Sequence, residues 1–106
     1  MDIRDIKQRM IEFRKDLARQ NVRPDIIILY GSYAEGKNRK DSDIDIAVIS
    51  RDFGKNRFRE GSMLNLIAHK IDPRIEAVPF GLDEYMSPGS ISPLLAEINK
   101  KRKVLL

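Results

Sequence analysis

Apolar residues recur at Ile3, Ile6, Met10, Phe13 and Leu17, and these spacings of three and four place them on one face of an amphipathic helix. Asp2 stands at the N-cap position, and the opposite face is charged, so the segment is predicted as a packing helix. The turn Asn21-Val22-Arg23-Pro24 ends it. Asp25 to Tyr30 is a continuous, largely β-branched run, the pattern of a strand covered on both faces, and Gly31-Ser32 breaks it abruptly. After a polar, basic loop, Ser42 to Ser50 alternates: Asp43, Asp45, Ala47 and Ile49 project to one side, and Ile44, Ile46 and Val48 to the other. Arg51 to Glu60 lacks periodicity and reads as a mobile loop, followed by a helix through Met63, Leu64, Leu66, Ile67 and Lys70 that Asp72-Pro73 stops. Arg74 to Phe80 reads as a third strand, with Pro79 marking an edge or a strand end. Ser87-Pro88-Gly89 is a loop; Ser92-Pro93 starts a last helix through Leu94, Leu95 and Ile98, which runs out into Lys100 to Lys103 and the apolar tail Val104-Leu105-Leu106.

These elements fit one compact domain spanning 1-106, too small for a second lobe with its own core. With 42% hydrophobic and 34% charged residues and no membrane-spanning or signal-like segment, the expectation is a cytoplasmic protein without membrane contact. The absence of Cys excludes a disulfide scaffold, a thiolate zinc site and cysteine nucleophiles, and a single His excludes a His-rich metal site. Twenty Lys and Arg against sixteen Asp and Glu leave a charge of +4, concentrated in Lys37, Arg39 and Lys40, in Arg51 to Arg59, and in Lys100 to Lys103. Such clusters suit a polyanionic ligand, and equally a solvated loop or helix end. Extended nucleic-acid binding is not expected, because the aromatic residues form no stripe interleaved with the basic ones.

Two carboxylates at i and i+2 on a strand lie ~6.6 Å apart along the chain and point the same way, which suits a pair of divalent ions ~3.5 to 4 Å apart. A third acid from a neighbouring strand would close the set, and hard oxygen donors favour Mg²⁺ or Mn²⁺ over zinc. Alone, Asp43-Ile44-Asp45 is a weak signal. Upstream of it stands Gly31-Ser32, where a missing side chain lets phosphate approach backbone N–H groups and a hydroxyl adds a donor. The stretch Gly31-Ser32-Tyr33-Ala34-Glu35-Gly36 to Ser42-Asp43-Ile44-Asp45-Ile46 resembles the signature of the DNA polymerase β-like nucleotidyltransferase superfamily, and the short chain resembles its minimal nucleotidyltransferase branch.

That resemblance implies an α/β (α+β) palm, a mixed sheet of three to five strands flanked by helices. It implies Gly31, Ser32, Gly36 and Ser42 around the nucleotide, and Asp43, Asp45 and Glu76 as catalytic metal ligands. Two Mg²⁺ ions and ATP as the donor follow from the same likeness. So does a role as antitoxin, transferring AMP onto a tyrosine of a partner HEPN ribonuclease toxin. Transfer to a small molecule of the aminoglycoside type, and a non-catalytic binding antitoxin, are the competing readings. Relatives commonly carry Asp where Glu76 stands, with Asp83 or Glu84 the next candidates for the third acid. Relatives also often carry Arg where Glu35 stands; an acid there either points outward or is offset by Lys37 and Arg39. Ser42 caps a turn or backs up the metal ligands. His69 and Tyr33 read first as structural residues.

Overall fold

The computed structural model describes residues 2–87, 92–100 and 102–106. Helix α1 (Ile3–Arg19) opens with a capping box in which Asp2 and Asp5 each accept the other's backbone amide, and it buries Ile6, Met10, Phe13 and Leu17. Strand β1 (Ile26–Tyr30) follows, then the single-turn helix α2 (Gly31–Glu35), β2 (Ile44–Ser50), α3 (Arg57–Ile71), β3 (Ile75–Gly81), the short α4 (Leu82–Met86), α5 (Pro93–Lys100) and β4 (Lys103–Val104). Four strands form one mixed sheet in the order β3-β2-β1-β4. β1 is antiparallel to both of its neighbours, while β2 and β3 run parallel, with α3 as the crossover that a parallel pair requires.

Both faces of the sheet are covered, as the unbroken apolar run of β1 predicts. Ile27 and Leu29, with Ile44, Ile46, Val48, Ile75 and Ala77, face α1 and α3. Ile28 and Tyr30, with Ala47, Ile49 and Phe80, face Leu95 and Ile98 of α5. The alternation expected for β2 therefore holds, although Asp43 lies just ahead of the strand. Among the described residues, no helix is long and apolar enough to cross a membrane.

Several local expectations are corrected. The segment after β1 begins with the helical turn α2, which Gly36 ends in the left-handed conformation at φ +72. α3 starts at Arg57, inside the span read as a mobile loop; Asn56 accepts the amide of Arg59, and the Glu60 carboxylate accepts those of Gly54, Lys55 and Asn56. The apolar tail pairs with β1, where Leu105 N–H donates to Ile27 O at 2.8 Å. Ser92 caps α5 as predicted, its hydroxyl accepting from Leu95 N–H. Of the loop at Ser87-Pro88-Gly89, Pro88 and Gly89 lie outside the described residues.

β3 is an edge strand, and α3 seals its outer margin. The Asn65 side chain donates to Ala77 O and accepts from Ala77 N–H, both at 2.8 Å, and His69 Nε2 lies 2.8 Å from Ile75 O. Pro79 has no N–H to offer at all. His69 is thus structural. Tyr33, 6% exposed, covers the core in the same way.

Candidate active site

The topology decides which residues meet. Because β1 is antiparallel to β2 and β3 is parallel to it, the end of β1 lies beside the starts of β2 and β3. Tyr30 is the register partner of Asp45, and Asp45 of Glu76, so the three stand in one row across adjacent strands. Neighbouring strands are ~4.8 Å apart. Asp43 and Glu76 are exposed and Asp45 is half-buried. The sequence-predicted acids therefore share one margin of the sheet, while Asp83 and Glu84 sit beyond its opposite end, where Glu84 pairs with Arg57.

Gly31 brings backbone against this row. A Cβ built there would stand 2.3 Å from Asp45 Oδ2 and 3.1 Å from its Cγ, and φ is +71. Only glycine allows the turn and the carboxylate to occupy these positions together. Ser32 follows, half-buried in the first turn of α2. Gly36 ends that helix with nothing within 4 Å of its missing side chain. Ser42 closes the next turn, its hydroxyl accepting from Arg39 N–H at 2.7 Å, which agrees with its capping reading. Lys37, Arg39 and Lys40 are exposed in this connection. Glu35 is half-buried on the last turn of α2.

Charge crowding marks the row. Burial first, then Asp43 and Glu76, push the Asp45 carboxyl from 3.8 up to about 6. Burial, then Asp45 and Glu76, raise the Tyr30 hydroxyl to about 12. Among the described residues, no group of three or more acids or imidazoles is drawn closely enough together to hold a metal ion as it stands. The donor types, carboxylates at the adjoining starts of two strands with Gly31 against the central one, are those a hard divalent cation takes. A cation there would offset the repulsion from Asp43 and Glu76 that adds to the effect of burial on Asp45.

Sequence reasoning missed two features near this margin. One is Tyr30: alternation along β1 places it on the face of Ile28, and only the antiparallel register sets it beside Asp45. Asp72, read as a helix stop, is 5% exposed and joins Arg9 of α1 to Arg74, with Arg9 Nε at 3.1 Å and an Arg74 guanidinium nitrogen at 2.8 Å. Those contacts, Arg74 foremost, hold its carboxyl down at about 2. Asp72 anchors the entry to β3, and Arg74 O in turn accepts from Ile44 N–H at the start of β2.

A comparison with curated proteins finds no match. Among solved structures, one described as "Crystal structure of the toxin-antitoxin with AMP-PNP" is similar at 26% identity and a TM-score of 0.60, covering 94% of this chain and 72% of that one. The family model described as "Polymerase beta, Nucleotidyltransferase" matches residues 12–78, well over half of the chain. That span carries Gly31, Ser32, Asp43, Asp45 and Glu76, and with it the chain belongs to the polymerase β nucleotidyltransferase family.

Proposed function

We propose that this protein transfers AMP from ATP to a tyrosine of a partner toxin of the HEPN ribonuclease class, and so acts as the antitoxin of a two-protein module. The observation that carries the reading is the row of Asp45 and Glu76 beside Gly31, inside the span that the nucleotidyltransferase family model matches. The similar solved structure is a toxin–antitoxin with AMP-PNP, which supports both the partner and the adenine nucleotide.

In this reading the Gly31-Ser32 turn offers backbone N–H groups and a hydroxyl to the phosphates. Asp43, Asp45 and Glu76 would hold Mg²⁺, which, when bound, lowers the pKa of the acceptor hydroxyl and offsets charge on the leaving group. The acceptor oxygen attacks the α-phosphorus in line, the bond to the bridging oxygen breaks, and pyrophosphate leaves. The acceptor proton passes to a carboxylate oxygen of Asp45 or Glu76. The exposed Lys37, Arg39 and Lys40 lie in the loop between the phosphate turn and the acids, where they offset negative charge, that of Glu35 included.

The test is intact-mass analysis of the toxin after incubation with substoichiometric protein, ATP and Mg²⁺. Adducts of AMP mass are expected with wild type, none with Asp43→Asn or Asp45→Asn, and far fewer with Glu76→Gln. One observation favours a second reading, a non-catalytic binding antitoxin: the three acids do not form a closed set among the described residues. Suppression of toxicity only at equimolar ratio, without nucleotide and without a mass shift, would establish that reading instead.

A further inference from the structure

Register carries the row of Tyr30, Asp45 and Glu76 one strand further. β4 pairs antiparallel with β1, so that Val104 stands opposite Ile28 and Lys103 opposite Leu29. Continued by one residue, the same register sets Arg102 opposite Tyr30, one strand spacing of ~4.8 Å away. Register partners project to the same face of a sheet. Arg102 therefore stands on the α5 side with Tyr30, and Lys103 on the side of α1 and α3 with Leu29.

The contacts of Arg102 agree with this placement. Its Nη1 donates to the Tyr85 hydroxyl and, at 3.1 Å, to Asn99 Oδ1, and the guanidinium lies 5.9 Å from the centre of the Tyr85 ring. Tyr85 in turn packs against the cluster that holds Tyr30, Leu95 and Ile98. The side chain is thus held at one nitrogen only. Nε and Nη2 have no hydrogen-bond partner among the described residues, and the exposed guanidinium makes no ion pair among them.

Position gives this cation a use. Gly31 and Ser32 follow Tyr30 directly, so the turn at the end of β1 has the Asp45 carboxylate on one flank and Arg102 on the other. The span from Gly31 to Gly36 carries one acid, Glu35, and no cation. Lys37, Arg39 and Lys40 lie past it in the exposed connection to β2. A polyphosphate laid on the turn with its α-phosphorus toward the acids extends its terminal phosphates away from them, to the side of Arg102. A planar guanidinium with N–H groups to spare matches phosphate oxygens in pairs.

We propose that Arg102 binds the β- and γ-phosphates of the nucleotide, with Tyr85 and Asn99 as the residues that position it. As the bond from the α-phosphorus to the bridging oxygen breaks, the electron pair leaves with pyrophosphate, and the Arg102 N–H groups donate to the oxygens that take up this charge. The assignment rests on reading this margin as a nucleotide site.

Calorimetric titration of the protein with ATP, ADP and AMP in Mg²⁺ tests it. Arg102→Gln should weaken ATP about 10-fold or more, ADP less and AMP hardly at all, as removal of charge-assisted hydrogen bonds to the terminal phosphates requires. Arg102→Lys should recover part of the ATP affinity, since it keeps the charge without the fork. Tyr85→Phe, which keeps the ring and loses the hydroxyl, should weaken ATP and leave AMP unchanged. Lys103→Gln removes the same charge one residue on, from the other face, and should bind ATP as wild type does. Arg102 and Lys103 are exposed, so circular dichroism should report an unchanged fold. An Arg102→Gln variant that binds ATP as tightly as wild type, loses AMP as much as ATP, or is matched by Lys103→Gln overturns the assignment and leaves the nucleotide site standing. A wild type that binds none of the three nucleotides overturns both together.

Discussion

Gly31 and Gly36 make a matched pair for testing why the turn after β1 is built as it is. Both sit in the left-handed region, at φ +71 and +72, so alanine at either position carries the same backbone strain of about 1 to 2 kcal/mol. For a domain of this size that corresponds to a fall in melting temperature of about 4 to 8 °C. The surroundings differ. At Gly31 the new Cβ would stand 2.3 Å from Asp45 Oδ2, and at Gly36 it would meet nothing within 4 Å. Gly31→Ala must therefore push the Asp45 carboxylate aside by about 1 Å, a misplacement worth about 10²-fold in rate. Gly36→Ala should melt earlier yet transfer AMP close to the wild-type rate. Thermal melts paired with initial transfer rates under saturating ATP and Mg²⁺ decide the matter. Equal loss of activity in the two variants would show that helix geometry, and not the approach of Gly31 to Asp45, is what the turn protects.

Asp45→Asn should stabilise the metal-free protein at pH 7.5. Because folding raises this carboxyl from 3.8 to about 6, its ionisation costs stability as pH rises through about 6, and below 3.8 the cost is absent. The full rise would be worth about 3 kcal/mol, and solvent screening of a half-buried group leaves about 1 kcal/mol, or about 4 °C in a melt with EDTA, a gap that closes on acidification. Asp72→Asn should act in the opposite sense, losing about 2 kcal/mol at neutral pH in urea unfolding. Its carboxyl is lowered to about 2, so that contribution is present above 3.8 and disappears as pH falls through about 2.

What was legible in the sequence is what periodicity carries. The 3,4 spacing of α1, the buried run of β1 and the alternation of β2 set both sheet faces, and placed Asp45 with Ala47 and Ile49. The helical turn α2 was not legible, because one turn is too short to show a period. The two-residue β4 exists only because the free margin of β1 is there to pair with it. The early start of α3 did leave a signal, Asn56 as a cap with Glu60 reaching back, but charge in that stretch masked it. The Asp72 anchor joins Arg9 to a position 63 residues away, a distance that no local pattern spans. Tyr30 beside Asp45 required the antiparallel register, which alternation restricts and does not determine.

The seal on β3 bears on how this protein survives in the absence of any partner. An open strand margin is a template on which further chains can add, the first step toward fibres. Here the Asn65 amide presents one donor and one acceptor to Ala77, imitating the peptide group of a strand that is not there. His69 occupies the next carbonyl, and Pro79 removes a donor. Growth of the sheet is thereby confined to the short β4 side, where two residues give little purchase. A surplus of the free chain therefore meets no ready polymerisation seam along β3.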